Sequence, residues 1–105
     1  MIRTTGYRSQ SHRIHGACED IAEQLGVPKA LVYQVICLEA VEERIIPMAV
    51  VMGRAVPAHE STWDSKQAAD VITLIHRKVD TLGLWLTEYR DDGTTERVWY
   101  GERKP

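Results

Sequence analysis

The stretch from Cys18 to Cys37 constrains this chain more than any other. It reads as a short helix, a glycine corner and a second helix. Ala22 is small where two helices must approach closely, and Gly26, four residues on, can take the positive φ that a tight corner needs. Ile21, Leu25, Val27, Val32 and Val35 are apolar at positions where the two helices would bury them against each other. The polar residues between them are expected to face outward.

The rest of the chain divides by period and by breakers. Ser9 or Ser11 can cap a first helix running to about Leu25, with Ile14, Cys18, Ile21 and Leu25 as its apolar stripe. Gly16 weakens that helix and leaves a break within it open. Pro28 suits the first turn of the next helix, which Leu31, Val35, Leu38 and Val41 or Glu42 carry to about Glu43. Pro47 then interrupts, and the apolar run Ile46–Val56 reads as a short buried helix. Residues 57–65 form a polar connection. Asp64 or Ser65 caps a long helix from about Lys66 to Leu82, with Ala68, Ile72, Ile75, Val79 and Leu82 as its stripe and Val71 and Leu74 widening it. Gly83 stops it. Two β-prone runs, 84–90 and 94–100, flank Asp91-Asp92-Gly93, a hairpin signal.

The pattern of Ala22, Gly26, Val32 and Val35, with apolar Ile21, Leu25 and Val27, resembles the helix-turn-helix of phage and bacterial regulators of the Cro, lambda-repressor and lambda CII group. The helix 66–82 and its hairpin resemble the last helix and wing of winged-helix domains. Together they imply a mainly α fold: four or five helices including a helix-turn-helix, followed by a wing-like C-terminal β-hairpin. The chain then forms a single domain over 1–105, with a flexible basic arm at 1–10, a helix-turn-helix core at 11–56 and a helix-hairpin unit at 64–100. The resemblance implies a sequence-specific DNA-binding transcriptional regulator of phage or mobile-element type. Its helix from about Pro28 would enter the major groove of double-stranded DNA. Lys29, Ala30, Tyr33 and Gln34 would meet the groove: Gln34 an adenine edge, Lys29 a guanine or a phosphate, Ala30 a thymine methyl and Tyr33 the backbone. Arg8 and Arg13, with Arg3, would tether the arm to phosphates. A homodimer is expected by the same analogy, with the apolar stripe of helix 66–82, Trp85, Trp99 and Tyr100 as its interface.

Composition bears on this reading from both sides. The formal net charge of −2 opposes strong phosphate binding, whereas residues 1–16 hold Arg3, Arg8 and Arg13 and no acid. Glu19, Asp20, Glu23, Glu39, Glu42 and Glu43 concentrate the acids on and after the two helices. At 44% hydrophobic and 27% charged the composition is that of a soluble globular domain. No run approaches the ~20 apolar residues of a membrane span. Without a signal-peptide core and with two cysteines, a cytoplasmic setting with free thiols is expected.

Other chemistries find little in the sequence. His12, His15 and Cys18 could share a helix side, but no paired-ligand motif supports a metal, and none is expected. There is no phosphate loop, nucleophile elbow or HExxH, so no enzyme, cofactor or small-molecule substrate is expected. His76, Arg77 and Lys78, with Arg90 and Arg97, could grip phosphates if the C-terminal unit acts as a wing, as in a replication-associated winged-helix protein. The alternative to DNA binding is a protein-interaction module, a small inhibitor or adaptor that reuses the helix-turn-helix shape.

Overall fold

A computed structural model describes residues 9–101. Three helices and two β-hairpins alternate along it: α1 (Gln10–Leu25), α2 (Lys29–Glu42), β1 (Met48–Val51), β2 (Arg54–Pro57), α3 (Ser65–Leu82), β3 (Trp85–Tyr89) and β4 (Thr95–Trp99). A 3-10 turn, Glu60–Thr62, links the first hairpin to α3. The expected four or five helices with a single hairpin are therefore corrected to three helices and two separate two-stranded antiparallel sheets.

The difference lies at 46–56. A short apolar run has no period that separates a buried helix from a strand. Here local chemistry decides. Val50, Val51 and Val56 are stiff β-branched residues that suit a pleat. Met52 (φ 53°) and Gly53 (φ 79°) both lie in the left-handed region, the geometry of a two-residue hairpin turn. The strands pair from Met48↔Pro57 to Val51↔Arg54.

Helix ends are set by local bonds. The Ser9 hydroxyl accepts the His12 N–H at 3.1 Å, and Gly26 (φ 70°) closes α1 by donating to the Ala22 carbonyl at 2.8 Å. Gly16 does not break α1, which runs for 16 residues without interruption. α3 begins with a full capping box: Gln67 N–H donates to Asp64, and Asp64 N–H to the Gln67 side chain. Gly83 ends it.

α1 lies at the centre. Its stripe of Ile14, Cys18, Ile21 and Ala22 is buried against Val71, Leu74, Ile75 and Val79 of α3 and Val32, Ile36, Cys37 and Ala40 of α2. Beyond α3, β3 and β4 pair from Trp85↔Trp99 to Tyr89↔Thr95. The free edge of β3 docks on α1. Thr87 N–H donates to Asp20 at 2.8 Å, and the Gln24 amide donates to the Trp85 carbonyl at 2.7 Å while accepting its N–H at 2.9 Å. Two side chains thus do for β3 what a neighbouring strand would do. Among the described residues, no helix is long and apolar enough to cross a membrane.

Two substitutions test this architecture. A methyl at Gly16 meets no atom within 4 Å, so Gly16→Ala is expected to stabilise the chain by ~0.5–1 kcal/mol, raising its thermal midpoint. Gln24→Ala leaves both Trp85 backbone groups unmatched and is expected to cost about 1–3 kcal/mol in urea unfolding followed by tryptophan fluorescence.

Candidate interaction surface around the second helix

α2 follows a sharp corner at 26–28, and which side it shows is set by its roll. At 3.6 residues per turn, one side carries Lys29, Val32, Tyr33, Ile36, Cys37 and Ala40. Val32, Ile36, Cys37 and Ala40 are buried, and Lys29 and Tyr33 are half-buried beside them. The opposite side is Ala30, Leu31, Gln34, Val35, Leu38 and Glu42, all exposed.

The expected groove-facing set therefore divides. Ala30 and Gln34 do face solvent. Tyr33 turns inward: its ring stacks on His15 with centroids 4.9 Å apart, and its hydroxyl donates to Glu60 at 2.9 Å. Lys29 sits close enough to Cys18 for its charge to oppose the effect of burial on that thiol. Arg13 is exposed on α1. Arg8 lies outside the described residues, as does Arg3. The expected burial set divides too. Ile21 and Val32 are in the core, whereas Leu25, Val27 and Val35 are 50%, 39% and 48% exposed. Leu31 and Leu38, 52% and 43% exposed, continue the same outward stripe.

The roll is explained by composition. α2 is apolar on every side, so no polar face forces one orientation. Burying Ile36 and Ala40 against α1 and α3 leaves Leu31, Val35 and Leu38 on the outside. Leu31 and Val35 form one wall of an apolar groove of about 320 Å³, with Leu25 and Val27 from the corner and Leu82 from α3, and Leu38 continues the exposed stripe beyond it. Ile21, Val32 and Ile36 also line the groove, together with Lys78, the one charged residue in its lining.

Beneath the start of α2 lies a polar clasp. The Glu60 carboxylate takes bonds from Tyr33 and, at 2.7 Å, from His15. Burial works to raise this carboxyl, but bonds from Ser11, Tyr33 and His15 outweigh it and hold it below its ordinary value. Burial, then the bond to Glu60, pushes the Tyr33 phenol up. Burial pushes the Cys18 thiol up to about 12 and raises Cys37 as well. A carboxylate held by Ser11, Tyr33 and His15 and two buried thiols make a structural joint between α1, α2 and the 3-10 turn. His15 is engaged there and Cys18 is fully buried, so the His12-His15-Cys18 set does not converge. No cluster suited to a metal occurs among the described residues.

Among the described residues, most lysines and arginines are held by acids. Arg77 pairs with Glu43 at 2.5 Å, Lys78 with Glu39 at 2.6 Å, Lys66 with Asp70 at 2.9 Å, Arg97 with Glu23 at 3.5 Å and Arg90 with Glu96. Arg97 also lies over the Trp85 ring at 4.1 Å. The phosphate-gripping roles considered for Arg77, Lys78, Arg90 and Arg97 would have to break these pairs. Among the described residues Arg13, Lys29, Arg44 and Arg54 stand outside ion pairs. Of the set expected to form a dimer interface, Ile75, Val79 and Trp85 are buried in the chain's own interior, Ala68, Ile72, Trp99 and Tyr100 are half-buried, and Leu82 is exposed.

Sequence reasoning missed Glu60, Asp20 and Gln24, polar residues whose partners lie 27–67 positions away. It also missed the outward stripe, for which a signal exists: an α2 with six apolar residues between Ala30 and Leu38 cannot bury them all. Compared with known proteins, the chain matches no family model, no curated protein and no solved structure.

The clasp has a pH signature. With a folded pKa below 4.5, Glu60 contributes stability that is present above that pH and lost as pH falls through the folded value. Thermal melts are expected to show a fall in stability on acidification below pH 4.5 that Glu60→Gln makes shallower.

Proposed function

We propose that this chain is a protein-interaction module, a small adaptor or inhibitor, that receives an amphipathic helix of a partner in the groove beside α2. The observation that carries this reading is the outward stripe Leu31, Val35 and Leu38, each about half exposed on a helix whose other side is already packed. Spacing of i, i+4 and i+7 is a helix-docking pattern, and apolar walls with one charged lining residue suit the helix-in-groove mode. Glu42, next on the same side of α2, favours a partner helix with a basic flank. The helix-turn-helix corner is reused here as a scaffold. The two free, buried thiols support a cytoplasmic setting.

The DNA-binding regulator is the second reading. It is favoured by the corner at Gly26, by exposed Ala30 and Gln34 on α2, and by the unpaired cations Arg13, Lys29, Arg44 and Arg54. A major groove, however, offers hydrogen-bonding edges and phosphates to a helix face that here is mostly apolar, with Ala30, Leu31, Val35 and Leu38.

The two are separated by titrating isotope-labelled protein with a synthetic helix carrying leucines at i, i+4 and i+7 and flanking lysines, and separately with a random DNA pool at two salt concentrations. The docking reading expects amide shifts clustered at Leu25, Val27, Leu31, Val35 and Leu82. It expects Val35→Glu to weaken peptide binding by roughly tenfold or more with an unchanged melting temperature, because that side chain is half in water. Scattered shifts, or equal binding by Val35→Glu, would contradict it. Selection of a defined DNA site whose affinity falls in Gln34→Ala would establish the regulator instead.

A further inference from the structure

The two hairpins treat their edges differently. Asp20 and Gln24 cover the outer edge of β3. Among the described residues, nothing comparable covers the first hairpin. Its sheet has two members only, and β2 is the strand that lies beside α2.

Alternation identifies which groups are bare. In an antiparallel ladder, pairs that exchange hydrogen bonds alternate with pairs that do not. The Ala58 N–H donates to the Pro47 carbonyl at 2.9 Å. Counting inward, Ala49↔Val56 and Val51↔Arg54 exchange bonds, whereas Met48↔Pro57 and Val50↔Ala55 point theirs outward. Proline has no N–H, so Pro57 blunts the outer edge of β2. The outer edge of β1 keeps the N–H and C=O of both Met48 and Val50, and among the described residues no other element meets them.

Edges of this kind are normally protected by lysine, proline or a covering element. β1 has none of these. Residues 45–53 contain no charge, and Val50 and Met52 are 75% and 97% exposed. An isolated two-stranded hairpin is itself marginal in water.

We infer that β1 pairs antiparallel with β1 of a second copy of this chain, giving a four-stranded sheet ordered β2-β1-β1-β2. This inference does not rest on the docking groove. A second copy is the occupant because the bare groups are self-complementary. With a two-fold axis at Ala49, Met48 of each copy faces Val50 of the other, and both outward pairs of N–H and C=O groups are satisfied together. Shifting the axis to Met48 or Val50 would pair a strand residue with one in the bend or the turn. Ala49 at the axis is small, which lets the strands close. Met48 and Val50 become cross-strand neighbours and cover each other. No carboxylate lies on β1 to repel its twin. The strand pair is smaller than the roughly 800 Å² per partner of a standard interface, so the dimer is concentration-dependent.

Sedimentation of the full chain over a range of concentrations tests this, with three variants. Ala49→Cys puts thiols face to face at the axis and is expected to form a covalent dimer without reductant. Ala55→Cys, on the proline-blunted edge, is expected to stay monomeric. The native Cys18 and Cys37 do not compete, being buried. Val50→Pro removes only an outward donor, as Pro57 does naturally, and is expected to weaken dimerisation by roughly tenfold or more. Melting curves report whether it folds; if it does not, the cysteine pair decides. A wild-type chain that stays monomeric at the highest attainable concentration would overturn the inference. So would equal cross-linking of the two cysteine variants, or Val50→Pro dimerising like the wild type.

Discussion

The packing of α1 governs everything else in this molecule. Ile14 and Cys18 are fully buried, and with Ile21 and Ala22 they form a stripe that α3 answers with Val71, Ile75 and Val79. Once these two amphipathic helices have covered each other, α2 has only one side to contribute. It contributes Val32, Ile36, Cys37 and Ala40, and the leucines and valine on its other side are left in water. The groove is thus a consequence of how three helices share two apolar stripes. The polar clasps follow the same logic: Glu60, Asp20 and Gln24 satisfy backbone and side-chain groups where α1 meets other elements.

Much of this architecture was legible in the residues. Ser9 or Ser11, Gly26, Asp64 or Ser65, and Gly83 mark helix ends through bonds that depend on near neighbours alone, and the structure uses Ser9, Gly26, Asp64 and Gly83. The same holds for the turn at Asp91-Asp92-Gly93, where Gly93 takes φ 88° and Asp92 accepts from Thr94. Local chemistry is readable because its partners are a few positions away.

What was not legible depends on distant partners. The run 46–56 is apolar enough to be a helix or a strand, and the positive φ at Met52, a residue that rarely adopts it, gave no warning. The roll of α2 is the other case. A helix that is apolar on every side has no preferred face until its neighbours choose one, and here they chose Tyr33 and Lys29 as inner residues. Of the residues expected on one outward surface of this helix, Ala30 and Gln34 face out, in company with Leu31, Val35 and Leu38 rather than with cations.

The orientation of α2 can be measured directly. Proton relaxation of methyl and aromatic groups by an inert paramagnetic co-solvent, in dilute protein, reports which side chains water reaches. The account requires strong relaxation of the Leu31, Val35 and Leu38 methyls, with Val32, Ile36 and the Tyr33 ring protected. A solvent-facing Tyr33 ring beside protected Leu31 and Val35 methyls would mean that the helix is rolled the other way, and the groove would not exist.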